Sequence, residues 1–192
     1  MTKEAKIDTE ATVDGRGQLE ERTRDDEDAV LAGWLSSALL FGSHASMFLY
    51  VMNYLVAYDA WTIDELKGYG SPKENGYHTI CHAHPERQVP AVEVMTGPLG
   101  QGVANAVGLT IASKYLAANF NKPGCQLVQS TIWCTTGDGC LMEGVALEAI
   151  SLAGHLQLDN FVLIYDNNAV TCDGPLDWIN NEDINAKMRS QG

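Results

Sequence analysis

Gly137-Asp138-Gly139, with Asn167-Asn168 about thirty residues downstream, supplies a carboxylate and an amide, both oxygen donors. A hard ion such as Mg²⁺ takes such ligands and keeps part of its octahedron for phosphate oxygens, so the pair points to a diphosphate-bearing ligand. The apolar run Thr131-Ile132-Trp133-Cys134-Thr135 leads into Gly137, and Phe161-Val162-Leu163-Ile164-Tyr165 leads into Asp166. Both runs read as strands ending in polar turns. With a helix between them they are expected to be parallel, and ligands bind at the carboxyl edge of such a sheet. Taken alone, an aspartate beside glycine is more often a turn or helix-capping residue.

The elements that must position this pair follow from periodicity. Residues 29–56 are apolar at mixed helical spacing, interrupted by Gly42-Ser43, and are expected to form two helical segments meeting at a turn before His44. Thr62-Ile63-Asp64-Glu65-Leu66 offers an N-cap with acids in the first turn, hence a short helix. Residues 68–88 are expected to be a long loop. Three glycines and a proline in residues 97–102 precede a predicted helix at 103–119, with Val103, Val107, Ile111, Tyr115 and Ala118 on one face. A glycine-rich turn entering a helix lets backbone approach a ligand closely. Asn121-Lys122-Pro123-Gly124 ends that helix. The strand at 131–135, a helix at 142–155, the strand at 161–165 and a turn-rich end without a closing element complete the pattern. The fold class is therefore α/β, a parallel sheet with flanking helices.

Composition narrows the function. The 192 residues, 45% hydrophobic and 19% charged, suit one globular core, and the formal charge of −13 argues against nucleic acid, whose affinity rests on Lys and Arg. A phosphate-bearing ligand must be held locally, by metal and backbone amides. Much of the acidity lies in residues 1–28, which have few large apolar side chains and are expected to be a disordered tail. Residues 29–192 form the domain. The five cysteines lack paired metal-type spacing and fit reduced thiols inside a cell. No apolar segment is long enough to cross a membrane. The terminal Ser190-Gln191-Gly192 is no peroxisomal address, leaving a cytoplasmic location as the expectation.

Gly137-Asp138-Gly139-Cys140-Leu141-Met142-Glu143-Gly144 with Asp166-Asn167-Asn168 resembles the thiamine diphosphate motif of transketolases. Thr96-Gly97-Pro98-Leu99-Gly100-Gln101-Gly102 and His84-Pro85-Glu86 resemble the same family, in the same order along the chain. Residues 165–174 and 181–187 look most like fungal and yeast dihydroxyacetone synthases, the formaldehyde-using transketolases. The resemblance implies the pyrophosphate-binding domain of that family, incomplete here, with thiamine diphosphate and Mg²⁺ as cofactors and Ca²⁺ or Mn²⁺ as alternatives. The implied reaction moves a two-carbon ketol unit from a ketose phosphate to an aldehyde, with formaldehyde giving dihydroxyacetone. The implied setting is carbohydrate metabolism of the pentose phosphate type.

The resemblance also assigns roles. Asp138 and Asn168 would give side-chain oxygens to the metal and Val170 its main-chain carbonyl. Gly139 would bring its amide to phosphate at the start of the following helix; a plain turn glycine is the other reading. Gly97 and Leu99 would contact the cofactor rings, with core packing the alternative for Leu99. Glu143 and Glu148 match acidic positions near the subunit contact, although a solvated helix face explains them equally. His44 matches a histidine facing phosphate or substrate, but Gly42-Ser43 stands where the family has Asn-Gly. His84 matches a histidine that bonds substrate, with Ala83 replacing the family's glycine. Its pKa class suits a proton carrier; an exposed loop histidine is the bland alternative. Cys81, His82 and His84 could suggest zinc, but no second ligand pair follows. His155 reads as a helix C-terminal residue.

Two family features have no counterpart: an opening helix with a further Gly-His-Pro type motif, and the pyrimidine-binding domain whose glutamate activates the cofactor and which comes from another subunit. The chain is therefore expected to bind the cofactor weakly and to be inactive alone. The alternative is a non-catalytic pyrophosphate-domain remnant acting as an interaction protein. A different thiamine enzyme, such as a decarboxylase or oxoacid dehydrogenase, would share the Gly-Asp-Gly and Asn elements but not the motifs at 84–86 and 96–102.

Overall fold

A computed structural model describes residues 45–71, 79–95 and 97–191, together with the backbone of the short strands at 12–13, 19–20 and 37–40. The chain divides into two units, residues 1–36 and 37–192. In the first, β1 (Thr12–Val13) pairs antiparallel with β2 (Leu19–Glu20). The expected tail at 1–28 otherwise lies outside the described residues, as does His44.

The second unit is built on a parallel three-stranded sheet in the order β3-β4-β5. Its members are β3 (Ser37–Leu40), β4 (Thr131–Gly137) and β5 (Phe161–Asp166). This bears out the α/β class and corrects one element. Ser37-Ala38-Leu39-Leu40, expected to be helical, is a strand in register with Thr131-Ile132-Trp133-Cys134. A short apolar run has no periodicity that separates buried helix from buried strand, and pairing with the far-off β4 decides it.

The helices are α1 (Ser46–Leu55), α2 (Ile63–Lys67) and α3 (Gln101–Phe120), then α4 (Asp138–Leu141) and α5 (Gly144–His155), and finally α6 (Ile184–Ser190). Thr62 caps α2 as expected, its side chain accepting from Glu65 N at 3.2 Å. Asn121 ends α3. The buried face of α3 is Val103, Ala106, Val107, Thr110 and Ser113, whereas Tyr115 and Ala118, expected to share the inner face, are exposed. The N-terminal half of α3 packs on the sheet, and its C-terminal half runs out toward solvent. The expected open end is closed by α6, a correction: Asp183 accepts from Ala186 N at 2.9 Å, and Ile184 and Met188 pack on the core. Between β5 and α6 lie the hairpin of β6 (Val170–Thr171) and β7 (Gly174–Pro175) and a 3₁₀ turn at Leu176–Trp178. Among the described residues no helix is long and apolar enough to cross a membrane.

Two apolar clusters hold these parts. The first joins Val103 and Ala106 of α3, Ile132 and Cys134 of β4, Leu141 of α4, and Ala146 and Ile150 of α5. Each large aliphatic member contributes about 1.5–3 kcal/mol by leaving water. The second groups Leu49, Tyr50, Trp61, Cys81, Val89 and Val92. Tyr50 and Trp61 stack with ring centroids 4.7 Å apart. Their polar ends are satisfied on the long loop: Tyr50 Oη donates to the His82 carbonyl at 2.6 Å and Trp61 Nε1 to the Pro90 carbonyl at 3.0 Å. Glu65 adds a clamp, its carboxylate accepting from Ile80 N at 2.7 Å. A loop of 79–92 with no strand or helix is thus anchored at several points along its length.

Candidate functional site

β4 and β5 end side by side, with Gly137 opposite Asp166 in the register. Asp138 begins α4 immediately after β4, and Asn168 follows β5 by two residues. Both line one cavity of about 620 Å³ at the carboxyl edge of the sheet, together with Leu99, Gly139, Glu143 and Val170. Asp166, Asp173, Cys140, Cys172 and Ala45 also line it.

Asp138 is 4% exposed. Tyr165 Oη donates to its Oδ1. The other carboxylate oxygen, Oδ2, is buried without any hydrogen-bond partner. A buried carboxylate oxygen left bare is costly, so this atom calls for a cation or a donor. Burial, and then the bond to Asp138, push the Tyr165 phenol up to about 12, so it remains a donor across the physiological range.

Asn168 sits in a tight turn. Its Nδ2 donates to Asp166 Oδ2 at 3.1 Å and its Oδ1 accepts from Val170 N at 3.0 Å, leaving one lone pair on Oδ1. Between them Ala169 adopts φ 56°, a left-handed conformation that costs a non-glycine residue about 1 kcal/mol. The Ala169 carbonyl accepts from Leu176 N at 2.9 Å, which ties the turn to the hairpin behind it. The cavity-lining Asp138 and Asn168 thus keep one carboxylate oxygen and one amide lone pair uncommitted. This is a hard-ion set, and it fits a divalent cation of the Mg²⁺ type.

Leu99 approaches from the turn before α3. A Cβ at residue 139 would lie 3.3 Å from Leu99 Cδ1, so glycine there lets Leu99 close over α4. Leu99 is 38% exposed and is therefore no core residue. Gly100 has φ 80°, and a Cβ on it would lie 2.8 Å from Glu143 Cβ, so it docks the turn against the start of α5.

Not every expected residue reaches the cavity. Gly139 belongs to a helix of only four residues, α4, and the long helix starts at Gly144 behind it; the expected dipole of a long helix at Gly139 is corrected to that of a single turn. Glu148 lies on the exposed face of α5 and does not line the cavity. His84 is exposed; its Cδ2 would lie 3.7 Å from a Cβ at Gly97, so these two meet, and neither lines the cavity. Cys81 is buried in the second cluster, its thiol pushed up by burial, while His82 and His84 are exposed. His155 ends α5.

The sequence named Asp166 within the motif without a role and did not single out Tyr165 or Ala169. Tyr165 follows from the register, since it lies opposite Thr136 and close to Asp138 once β4 and β5 pair. Ala169 carries no signal at all, because alanine is not a residue that advertises positive φ.

The fold and cavity define an α/β domain that gathers polar groups at the carboxyl edge of its parallel strands, where folds of this type bind ligands. The family model described as transketolase, thiamine diphosphate binding domain, matches residues 36–192, and the chain belongs to that family. It is 49% identical over 152 residues to the dihydroxyacetone synthase of Pichia angusta, covering 79% of this chain and 21% of that protein. With the dihydroxyacetone synthase of Candida boidinii the identity is 53% over 152 residues, with the same shares covered. The solved transketolase of Leishmania mexicana superposes with a TM-score of 0.74 at 43% identity, covering 84% of this chain and 24% of that one. The chain thus spans about one fifth of the length of the curated relatives it matches.

Proposed function

We propose that these residues are the diphosphate- and metal-holding part of a ketol transferase that moves a two-carbon unit from a ketose phosphate to an aldehyde. The similarity to two dihydroxyacetone synthases favours formaldehyde as acceptor. The observation that carries the reading is the Asp138 carboxylate, buried, oriented by Tyr165 and left with one bare oxygen in a cavity shared with Asn168.

Asp138 Oδ2, Asn168 Oδ1 and the Val170 carbonyl would hold Mg²⁺, with Mn²⁺ or Ca²⁺ as substitutes. Electrostatics supports a cation. Asp138, Glu143, Asp166 and Asp173 line the cavity, and among the described residues no Lys or Arg does, so a diphosphate enters only with a cation that offsets this field. When bound, thiamine diphosphate supplies a nucleophilic thiazolium carbon. The protein's own tasks are positional. Tyr165 fixes Asp138, Asp166 fixes the Asn168 amide, and Gly139 would give the backbone room beside phosphate. Gly97 and Leu99 would lie toward the rings, and His84 and His44 would donate hydrogen bonds to substrate. Glu143 and Glu148 contribute acids toward a subunit contact.

In this reading residues 36–192 bind thiamine diphosphate and Mg²⁺, and turnover also requires a glutamate that the family resemblance places in a pyrimidine-binding domain of another subunit. A cytoplasmic location accompanies it. Titration calorimetry with thiamine diphosphate and Mg²⁺, followed by a ketol-transfer assay on the same sample, tests this. Heat from the wild type that vanishes in Asp138→Ala is the expected result; no heat from a folded wild-type chain sinks the assignment. A second reading, an interaction module without catalysis, draws on the exposure of Phe48, Leu55, Trp178 and Ile179. It predicts association in sedimentation without cofactor heat.

A further inference from the structure

Three side-chain polar atoms among the described residues are buried without a hydrogen-bond partner: Thr136 Oγ1, Asp138 Oδ2 and Asn160 Oδ1. Asn160 lies just before β5, at the far end of the sheet, where its amide donates to the Ser130 carbonyl. The other two belong to residues that line the same cavity. Thr136 is 2% exposed, on the inner face of β4 that Ile132 and Cys134 also occupy. Those two fill the apolar core; Thr136, two residues nearer the strand tip, brings a hydroxyl to the polar end of the same row.

A valine has the same shape without a group that must be desolvated, so a bare threonine hydroxyl here is a poor choice for packing alone. The buried Thr110 shows the ordinary solution, its hydroxyl donating to the Ala106 carbonyl at 2.7 Å. Thr136 makes no such bond. Thr136 Oγ1 and Asp138 Oδ2 are also beyond reach of each other, since each lacks any partner. A ligand lodged between them would satisfy both at once.

Resting on the cation reading above, we infer that Thr136 is a further positioning residue of this cavity: its hydroxyl accepts a hydrogen bond from water bound to the divalent cation that Asp138 Oδ2 ligates. Mg²⁺ and its relatives give up their water shell reluctantly, so a ligating carboxylate needs neighbours that seat the retained waters. Metal-bound water is a strong donor, and a threonine oxygen carries two lone pairs to receive it. The roles are complementary: Asp138 supplies charge and Thr136 orients the shell.

The test uses the full 192-residue chain, Mn²⁺ with thiamine diphosphate as probe, and free Mn²⁺ read by electron paramagnetic resonance, alongside thermal melting without ligand. Thr136→Val is expected to weaken Mn²⁺ binding about tenfold and Thr136→Ser to stay within about twofold of wild type, the loss of one hydrogen bond to a charged group. The ligand-free melting temperature of Thr136→Val should be unchanged or higher, a direction that a merely structural role would reverse. Wild-type affinity in Thr136→Val with binding lost in Asp138→Asn overturns the role of Thr136 and leaves the cavity reading intact. No Mn²⁺ binding by the wild type, or none lost in Asp138→Asn, overturns both. Equal loss of affinity and melting temperature in Thr136→Val and Thr136→Ser also overturns the inference, marking Thr136 as a packing residue.

Discussion

Replacing Gly100 by alanine tests how the turn before α3 is docked on the site. Gly100 is buried with φ 80°, and a Cβ there would lie 2.8 Å from Glu143 Cβ, 3.1 Å from Val145 Cγ1 and 3.4 Å from Ala146 Cβ. The left-handed backbone costs an alanine about 1–2 kcal/mol. Forcing a methyl against atoms close to the α5 backbone adds about 1–3 kcal/mol. The stiffer unfolded chain returns about 0.4–1 kcal/mol. The net expectation is a destabilisation of about 3 kcal/mol, which at a urea dependence of about 2 kcal/mol per molar moves the unfolding midpoint down by about 1.5 M. Gly108→Ala is the control: it lies within α3, and a Cβ there meets nothing within 4 Å. It should raise stability by about 0.5–1 kcal/mol, because helical glycine is entropically costly. The two substitutions are chemically identical and should move the urea midpoint in opposite directions. A Gly100→Ala midpoint at or above that of wild type would refute the docking argument. Because Glu143 lines the cavity, the same variant should also bind thiamine diphosphate more weakly.

Cys134 is 1% exposed, and burial first, then Cys140, pushes its thiol up to about 12. Its folded value exceeds the unfolded one of about 8.5, so its contribution is fully present below pH 8.5 and is lost as pH rises toward 12. Urea midpoints measured from pH 8.5 to 11 should fall more steeply for wild type than for Cys134→Val, by on the order of 2 kcal/mol over that range; parallel slopes would contradict this. Native alkylation should modify exposed Cys125 and Cys172 and spare buried Cys81 and Cys134, as peptide mapping would show. Asp183→Ala removes the cap of α6 and should lower stability by about 1 kcal/mol in urea unfolding. The Asp138→Ala calorimetry and the Thr136→Val resonance titration complete the set.

What the sequence determined by itself was local chemistry. Gly137-Asp138-Gly139 after an apolar run marks a strand tip carrying a carboxylate, because only neighbouring residues are needed for that pattern. Thr62 before Ile63-Asp64-Glu65 and Asn121 after α3 mark helix ends for the same reason. The motifs at 84–86, 96–102, 137–144 and 166–168, in order, carried the family assignment that the match over residues 36–192 confirms.

Tertiary structure decided whatever depends on a partner distant in the chain. Ser37–Leu40 is a strand because β4 offers it an edge, and nothing within four residues could say so. Tyr115 and Ala118 continue the spacing of Val103 yet face solvent, because the surface α3 covers ends before the helix does. Residues 184–190 are a closing helix because Ile184 and Met188 find the core formed by Leu141, Ala146 and Ile150. At the site, the pairing of Gly137 with Asp166 brings Tyr165 to Asp138 and Asn168 to the same cavity, and it leaves the Thr136 hydroxyl and one Asp138 oxygen buried without a hydrogen-bond partner. Spacing along a chain reports which groups are present; which of them remain unsatisfied is a property of three-dimensional packing, and a ligand binds where such groups are left to be met.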